Sequence, residues 1–418
     1  MTRTLNWLTV ALFAIAVGLR NPIVFLIAVL LALVAGLTAL WDRYALAGVT
    51  YTRRIAAPRL FVGEETDLTV EIVNAKLLPL AWLKAEDEWP GQITLQRGRL
   101  GYSWKPGRRL LHNMVSLRFY ERVRKQYRLR AEHRGALEFG PCELRAGDIF
   151  GFREQHMVLA EPDWLIVYPK VVPVTALGLP AAHPFGEART LRRVVEDPLR
   201  VSGVRPYMAG DSPRFIHWRA TARRGDLQTK VFDPAAAPTT ALFLDVRTLR
   251  DSPGMQPDYL EYAISATASL ARALLDAREA VGLYVNGTWR NAETLTVRLP
   301  PARRPMQWFD ILDALARLSG YASLNIERLL YIELSRLPFG ATVVVVSAVP
   351  REELSAALLD ARRAGHPVAL VAIGEEPPQE VPEEIPAYWI GGQEAYRRLM
   401  EGKLDALDIG GSQVASGR

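Results

Sequence analysis

Residues Thr342–Ile373 read TVVVVSAVPREELSAALLDARRAGHPVALVAI. Two apolar runs, Thr342–Ser347 and Val368–Ile373, stand on either side of a helical stretch, Glu352–Ala364. Both faces of each run are apolar, as expected of parallel strands covered by helices on each side. Strand, helix and strand in that order form the unit of an open α/β sheet. The same alternation extends upstream. Ala241–Asp245 is an apolar strand ending in a carboxylate, and the stretch Asp258–Ala277 places Leu260, Ile264, Thr267, Ala271 and Leu274 on one helical face. Val281–Val285 is the next strand, and helical patterns follow at 305–318 and 325–336. Residues 236–408 are therefore expected to form one α/β domain, and the small, polar tail 409–418 to be disordered.

Upstream the hydrophobic pattern changes. In TDLTVEIVN, Leu68, Val70 and Ile72 point one way while Thr69 and Glu71 point the other, as in a half-buried strand. Similar runs at Trp82–Asp87, Leu111–Tyr120, Arg122–Ala131 and Leu137–Arg145 are separated by Pro79, Pro90-Gly91, Pro106-Gly107 and Gly140-Pro141. Short strands at that spacing predict an all-β, immunoglobulin-like sandwich of roughly seven strands over residues 50–160. On Arg122–Ala131 one face carries Arg122, Arg124, Arg128 and Arg130. Such a face serves either as a solvated, charge-protected surface or as a surface attracted to an anionic leaflet.

The amino terminus is different again. Ile23–Leu40 is 18 residues without a charge, and Leu5–Leu19 is a second apolar run, with Asn21-Pro22 between them. This predicts a transmembrane helical hairpin over 1–41, with spans at about 5–19 and 23–40. Arg43, Arg53, Arg54 and Arg59 follow the second span, so the positive-inside rule places both termini and the folded domains in the cytoplasm of a multi-pass plasma-membrane protein.

Over all 418 residues the formal charge is 51 − 45 = +6, with 49% hydrophobic, 9% aromatic and 23% charged residues. That balance excludes a disordered or collagenous chain. A thin basic excess without an interleaved stacking platform argues against a nucleic-acid partner. The single cysteine, Cys142, excludes an intrachain disulfide framework and a Cys-rich metal site, and His112, His133 and His156 show no metal-ligand spacing. There is no G-x-x-x-x-G-K-[ST], G-x-G-x-x-G or H-E-x-x-H, so nucleotide hydrolysis, dinucleotide chemistry and zincin proteolysis lack their minimal parts. No cofactor and no small-molecule substrate are expected. Asn286-Gly287-Thr288 fits a glycosylation acceptor and is read as a hairpin turn.

Between the two folded regions, in a junction over 161–235, lies GDSPRFIHWRATARRGDLQTKVFDP (Gly210–Pro234). Asp211 or Ser212 is expected to cap a helix with Pro213 in its first turn, and Gly225 to supply its left-handed stop. Phe215, Ile216 and Ala220 would pack, Arg214, Arg219, Arg223 and Arg224 would reach outward, and Leu227–Phe232 reads as a strand. Asp211, Ser212 and His217 also invite a hydrolase reading, but no G-x-S-x-G elbow presents Ser212. A capping network that doubles as a docking surface is the expectation.

The pattern G-D-x-x-R-x-I-x-W-x-x-x-A-R, carried by Gly210, Asp211, Arg214, Ile216, Trp218, Ala222 and Arg223, resembles the signature of the bacterial and archaeal family called domain of unknown function 58. RLFVGEETDLTVEIVN and HRGALEFGPCELRAGDIFGF resemble the same family in the same order. The resemblance implies a von Willebrand factor A-like (Rossmann-like) carboxy-terminal domain and a gene neighbourhood shared with MoxR-type AAA+ ATPases. Metal-binding members of the A-like class carry D-x-S-x-S where this chain has Asp245, Arg247 and Leu249, and Ser347-Ala348 stands where a second aspartate would be offered. One carboxylate rarely holds a hard divalent cation, so Asp245 is expected to pair with Arg247 or with backbone instead of a metal. The functional expectation is a membrane-anchored, non-enzymatic adaptor or scaffold that engages a MoxR-type AAA+ ATPase during assembly of another complex. The alternatives are a divalent-metal-dependent receptor acting through Asp245 and an unrecognised hydrolase at the junction.

Overall fold

The computed structural model describes residues 10–15, 18, 22–147, 154–180, 196–208, 211–234, 238–249, 256–289, 294–379 and 381–402. The chain divides into two compact units, 1–168 and 169–418. The expected tail 409–418 and Gly210 lie outside the described residues.

The expected architecture is corrected at its first element. Most of the first expected span lies outside the described residues. Among the described residues no helix is long and apolar enough to cross a membrane. Helix α1 (Pro22–Tyr44) falls on the second expected span, and its last turns belong to a protein core. Trp41 is only 9% exposed and packs with Ala45 and Leu46 among the buried residues of the first unit. The run before it is not packed there: Ile23, Leu26, Leu30 and Leu33 are all more than 60% exposed. The multi-pass, plasma-membrane location rested on the hairpin and is overturned with it.

Twelve strands of the first unit are described: β1 (Val49–Ile55), β2 (Arg59–Phe61), β3 (Glu65–Asn74), β4 (Leu80–Pro90), β5 (Ile93–Leu95), β6 (Gly101–Tyr102), β7 (Arg108–Leu117), β8 (Arg122–Ala131), β9 (Gly135–Phe139), β10 (Cys142–Gly147), β11 (Glu154–Leu159) and β12 (Asp163–Tyr168). They form sheets ordered β1-β3-β8-β5, β11-β10-β4-β7-β6 and β2-β12-β9. The excess over seven comes mainly from strands of two or three residues lying in segments that read as turns. Leu68, Val70 and Ile72 of β3 are buried with Leu83, Ala85 and Trp89 of β4 in one core. Within it Asp87 Oδ2 accepts from the Tyr51 hydroxyl and from Trp89 Nε1, each at 2.8 Å, with Arg53 Nε at 3.2 Å. Three of the four arginines on the basic face of β8 are matched across the ladder. Arg122 and Arg124 meet Glu71 at 3.2 and 2.7 Å, and Arg128 meets Asp67 at 3.2 Å. Those arginines serve cross-strand pairing.

In the second unit, β13 (Glu196–Pro206) and β14 (Gln228–Pro234) make an antiparallel ribbon around helix α2 (Trp218–Arg224). Six strands follow, β15 (Thr239–Leu244), β16 (Ala280–Val285), β17 (Val297–Ala302), β18 (Thr342–Ser347), β19 (Val368–Ala372) and β20 (Ala387–Trp389), in the order β17-β16-β15-β18-β19-β20. All neighbours are parallel except β17, which is antiparallel to β16. The helices are α3 (Pro257–Asp276), α4 (Gln307–Arg317), α5 (Ile326–Leu334), α6 (Glu352–Arg363) and α7 (Gln393–Glu401). Every residue of β18 and β19 is buried, which is why neither strand alternates. Helix α3 buries Tyr262, Ala266 and Leu270 as well as the expected face, so it is covered on more than one side.

Candidate functional site

The signature segment is built inward first. Arg205 near the end of β13 donates through Nη1 and Nη2 to Asp211 Oδ2 and Oδ1, both at 2.7 Å, a bidentate pair. The Met208 amide donates to Asp211 Oδ2 at 2.9 Å, and the Tyr207 hydroxyl to the Asp211 carbonyl at 2.8 Å. The Arg205 hydrogen bonds, and then the Met208 amide, hold the Asp211 carboxyl below its ordinary range. Asp211 thus closes the turn out of the ribbon and caps no helix.

Helix α2 starts later than its proline suggests. Pro213–Phe215 is one 3-10 turn, preceded by Ser212, whose side chain makes no capping bond. Ile216 then returns to extended geometry, bridges Thr229 of β14 and is 9% exposed. The demand to bury Ile216 against the ribbon breaks the helix that Pro213 could have begun. His217 caps α2 instead, its Nδ1 accepting from the Ala220 amide at 3.0 Å, and its own amide donates to the Gln228 carbonyl at 2.7 Å. Gly225, at φ +81°, supplies the left-handed stop. Phe215, expected to pack, is 37% exposed.

The outward half is basic and aromatic. Trp218 is 68% exposed, Met208 67% and Leu227 46%, and Arg214, Arg219, Ala222, Arg223 and Arg224 are also exposed. Arg219 and Arg223 are four residues apart on one helical face, an arrangement that destabilises an isolated helix by a few tenths of a kcal/mol. The signature is therefore two sets of residues. Asp211 and Ile216 fix the backbone, while Arg214, Trp218, Ala222 and Arg223 form what that backbone presents. The hydrolase grouping does not assemble: Asp211 is engaged by Arg205 and Met208, and His217 Nδ1 by the Ala220 amide.

Asp245 lies just beyond β15, where the chain passes to β16 on one side and later to β18 on the other, the switch point at which open α/β sheets bind ligands. It is 4% exposed. Its Oδ1 accepts from the Arg247 amide at 3.0 Å and from Asn286 Nδ2 at 2.7 Å, and its Oδ2 from Ser347 Oγ at 3.0 Å. Asn286 Oδ1 in turn accepts from the Val246 amide at 2.9 Å. Burial raises the Asp245 carboxyl above its ordinary value, against the opposing effect of these bonds. The Arg247 guanidinium goes to Asn325 Oδ1 at 2.8 Å, so of the two expected partners it is the backbone that Asp245 takes. With both oxygens engaged by protein donors, the carboxylate ties three strand ends together. Asn286 is fully buried, which closes the glycosylation sequence to any transferase, and Asn286-Gly287-Thr288 begins the connection between antiparallel β16 and β17. The missed signal was a polar residue terminating each of three apolar strands: Asp245, Asn286 and Ser347. Among the described residues no group of three or more His, Cys, Asp or Glu side chains could hold a metal ion.

Residues 203–386 match the family model described as protein of unknown function DUF58. The uncharacterized protein YeaD of Bacillus subtilis (strain 168) is 26% identical over 296 residues, covering 69% of this chain and 68% of YeaD. Among solved structures, the CARDB domain of the PF1109 protein from Pyrococcus furiosus has a TM-score of 0.19 at 12% identity, covering 28% of this chain and 91% of that one. E. coli alpha-2-macroglobulin has a TM-score of 0.21 at 19% identity, covering 30% and 7%. The family match spans the outward and inward halves of the signature from Asp211 to Arg223 and the whole Asp245 clasp, and over residues 203–386 the chain is similar to the DUF58 family.

Proposed function

We propose that the chain is a non-enzymatic adaptor that engages a MoxR-type AAA+ ATPase through the outward half of the signature, in the assembly or maturation of another protein complex. One observation carries this reading: an indole 68% exposed among four exposed arginines, on a helix whose approach the Asp211–Arg205 pair and Ile216 hold in place. A large aromatic and arginines, rigidly presented, are the residue types that dominate binding energy at protein interfaces. With Arg219 and Arg223 on one helical face, this surface would be completed by another molecule. The arginines require that molecule to be acidic where it touches α2. The choice of ATPase follows the neighbourhood that the family resemblance implies. Purification of the tagged full chain with the neighbouring ATPase, under conditions that trap ATP, tests the reading. Nucleotide-dependent retention of the ATPase supports it, and failure to retain any AAA+ ATPase overturns it.

A further inference from the structure

The sheet carries a second surface that the adaptor reading does not use. Between the β17 edge and helix α4 lies an open groove of about 810 Å³, lined by apolar residues such as Trp289, Leu295 and Leu299, by Arg298, Arg304 and Arg317, and by Asp310 and Asp313. That volume lies within the range of pockets that bury most of a ligand, about 300–1,000 Å³. β17 is the last strand of the sheet. The Val297 amide turns toward the β16 side, donating to the Gly287 carbonyl at 3.2 Å. By the alternation of an antiparallel ladder, the Arg298 N–H and C=O then face away from the sheet. The next outward position is Pro300, which has no N–H, and its carbonyl already accepts from Gln307 Nε2 at 3.0 Å. The free edge therefore offers one rung and then a stop.

The charges beside that rung are unequal in availability. Arg298 is engaged by the buried Glu333 at 3.1 Å, and Arg304 by Asp310 at 2.6 Å. Arg317, exposed at the carboxyl end of α4, has no carboxylate within ion-pair distance among the described residues. We infer that this groove binds an extended, acidic-apolar peptide segment of a partner protein, which adds to the Arg298 rung, seats an apolar side chain over Leu295 and Leu299, and places a carboxylate on Arg317. Strand addition of this kind takes affinity from main-chain bonds and specificity from the flanking pockets. A second copy of the chain is the poorer occupant. Antiparallel pairing through the same rung would set Arg298 against Arg298, and like charges directly opposite are destabilising.

A fluorescein-labelled decapeptide of alternating Glu and Leu, titrated with the full chain and followed by anisotropy, tests the assignment, with an alternating Lys-Leu decapeptide as control. The Glu-Leu peptide should bind saturably and the Lys-Leu peptide should not. Arg317→Glu and Arg298→Pro should each weaken binding by roughly tenfold, and Trp218→Ala should leave it unchanged. Arg298→Pro removes an outward N–H and the Arg298 pairing with Glu333, but Glu333 keeps its bond from Arg336 Nη1 at 3.2 Å; Arg317→Glu changes an exposed side chain, so both variants should fold. Absence of saturable binding by the wild-type chain, equal binding of the two peptides, or binding indifferent to both variants overturns the inference. So does a dimer in sedimentation that Arg298→Pro dissolves, because the groove would then be closed by a second copy. The signature face enters none of these outcomes, so the groove and the adaptor reading stand or fall separately.

Discussion

Asn286 holds Asp245 and the residue after it: the Asn286 amide donates to Asp245 Oδ1 at 2.7 Å, while its own side-chain carbonyl oxygen accepts from the Val246 amide at 2.9 Å. Both side chains are buried at the ends of neighbouring parallel strands. The clasp fixes where β15 and β16 stop and leaves none of its polar atoms to solvent.

Asn286→Ala should destabilise the second unit by about 2–4 kcal/mol, since it leaves the Val246 amide and Asp245 Oδ1 each short of a partner in a dry site. Asn286→Asp should be worse above the carboxylate range, because it sets a second buried carboxylate beside the first. Urea unfolding of the two variants, read as a shift of the transition that reports this unit, checks both the size and the order.

The Asp245 carboxyl, raised by burial, binds a proton in the folded state at pH values where the unfolded chain does not. Stability changes with pH as the protons bound by the unfolded state minus those bound by the native one. Here that difference is negative between the ordinary carboxylate value and the raised one. The contribution of Asp245 is therefore greatest below the ordinary value and declines as pH rises through the folded one. Asp245→Asn can keep the two bonds at Oδ1 and donate to Ser347 Oγ, so it should fold and lose this decline. An unchanged pH profile of urea stability in Asp245→Asn contradicts the assignment.

For Asp211 the sign reverses. Its carboxyl is lowered by the Arg205 hydrogen bonds and the Met208 amide, so its contribution is present above the ordinary carboxylate value and is lost as pH falls through the lowered one. Amide hydrogen exchange at Met208, Ile216 and His217 should quicken over that window. Arg205→Lys, which cannot make the bidentate pair, should show faster exchange at neutral pH.

His217→Ala removes the cap of α2 and should cost roughly 1 kcal/mol of local stability. Trp218→Ala should change thermal stability by no more than about 0.5 kcal/mol, as expected for an exposed side chain free of structural duties. Calorimetry of the two variants separates the inward half of the signature from the outward half.

The strands of the second unit were legible because burial on both faces leaves unbroken apolar runs, and Thr342–Ser347 was bounded correctly from composition alone. β17 was not, since VRLPPA carries two prolines and only one of its six residues is buried. At the amino terminus the apolar run was visible, but the burial of Trp41, Ala45 and Leu46 just beyond it was not, because the core they join is built by strands distant in sequence. In the signature, Gly225 was legible because few residues tolerate its φ. The cap was not, because Ile216 had to reach Thr229 and no local rule contains that distant contact. Asn286 looked like a turn residue because its partner, Asp245, is 41 positions away.

The central claim is that the outward arginines and Trp218 meet an acidic partner surface. Its most direct measurement is retention of the MoxR-type ATPase, under ATP-trapping conditions, by the full chain carrying Arg219→Glu and Arg223→Glu. The account predicts that the double variant folds with unchanged thermal stability and loses the ATPase. Retention equal to wild type, with the fold intact, contradicts it.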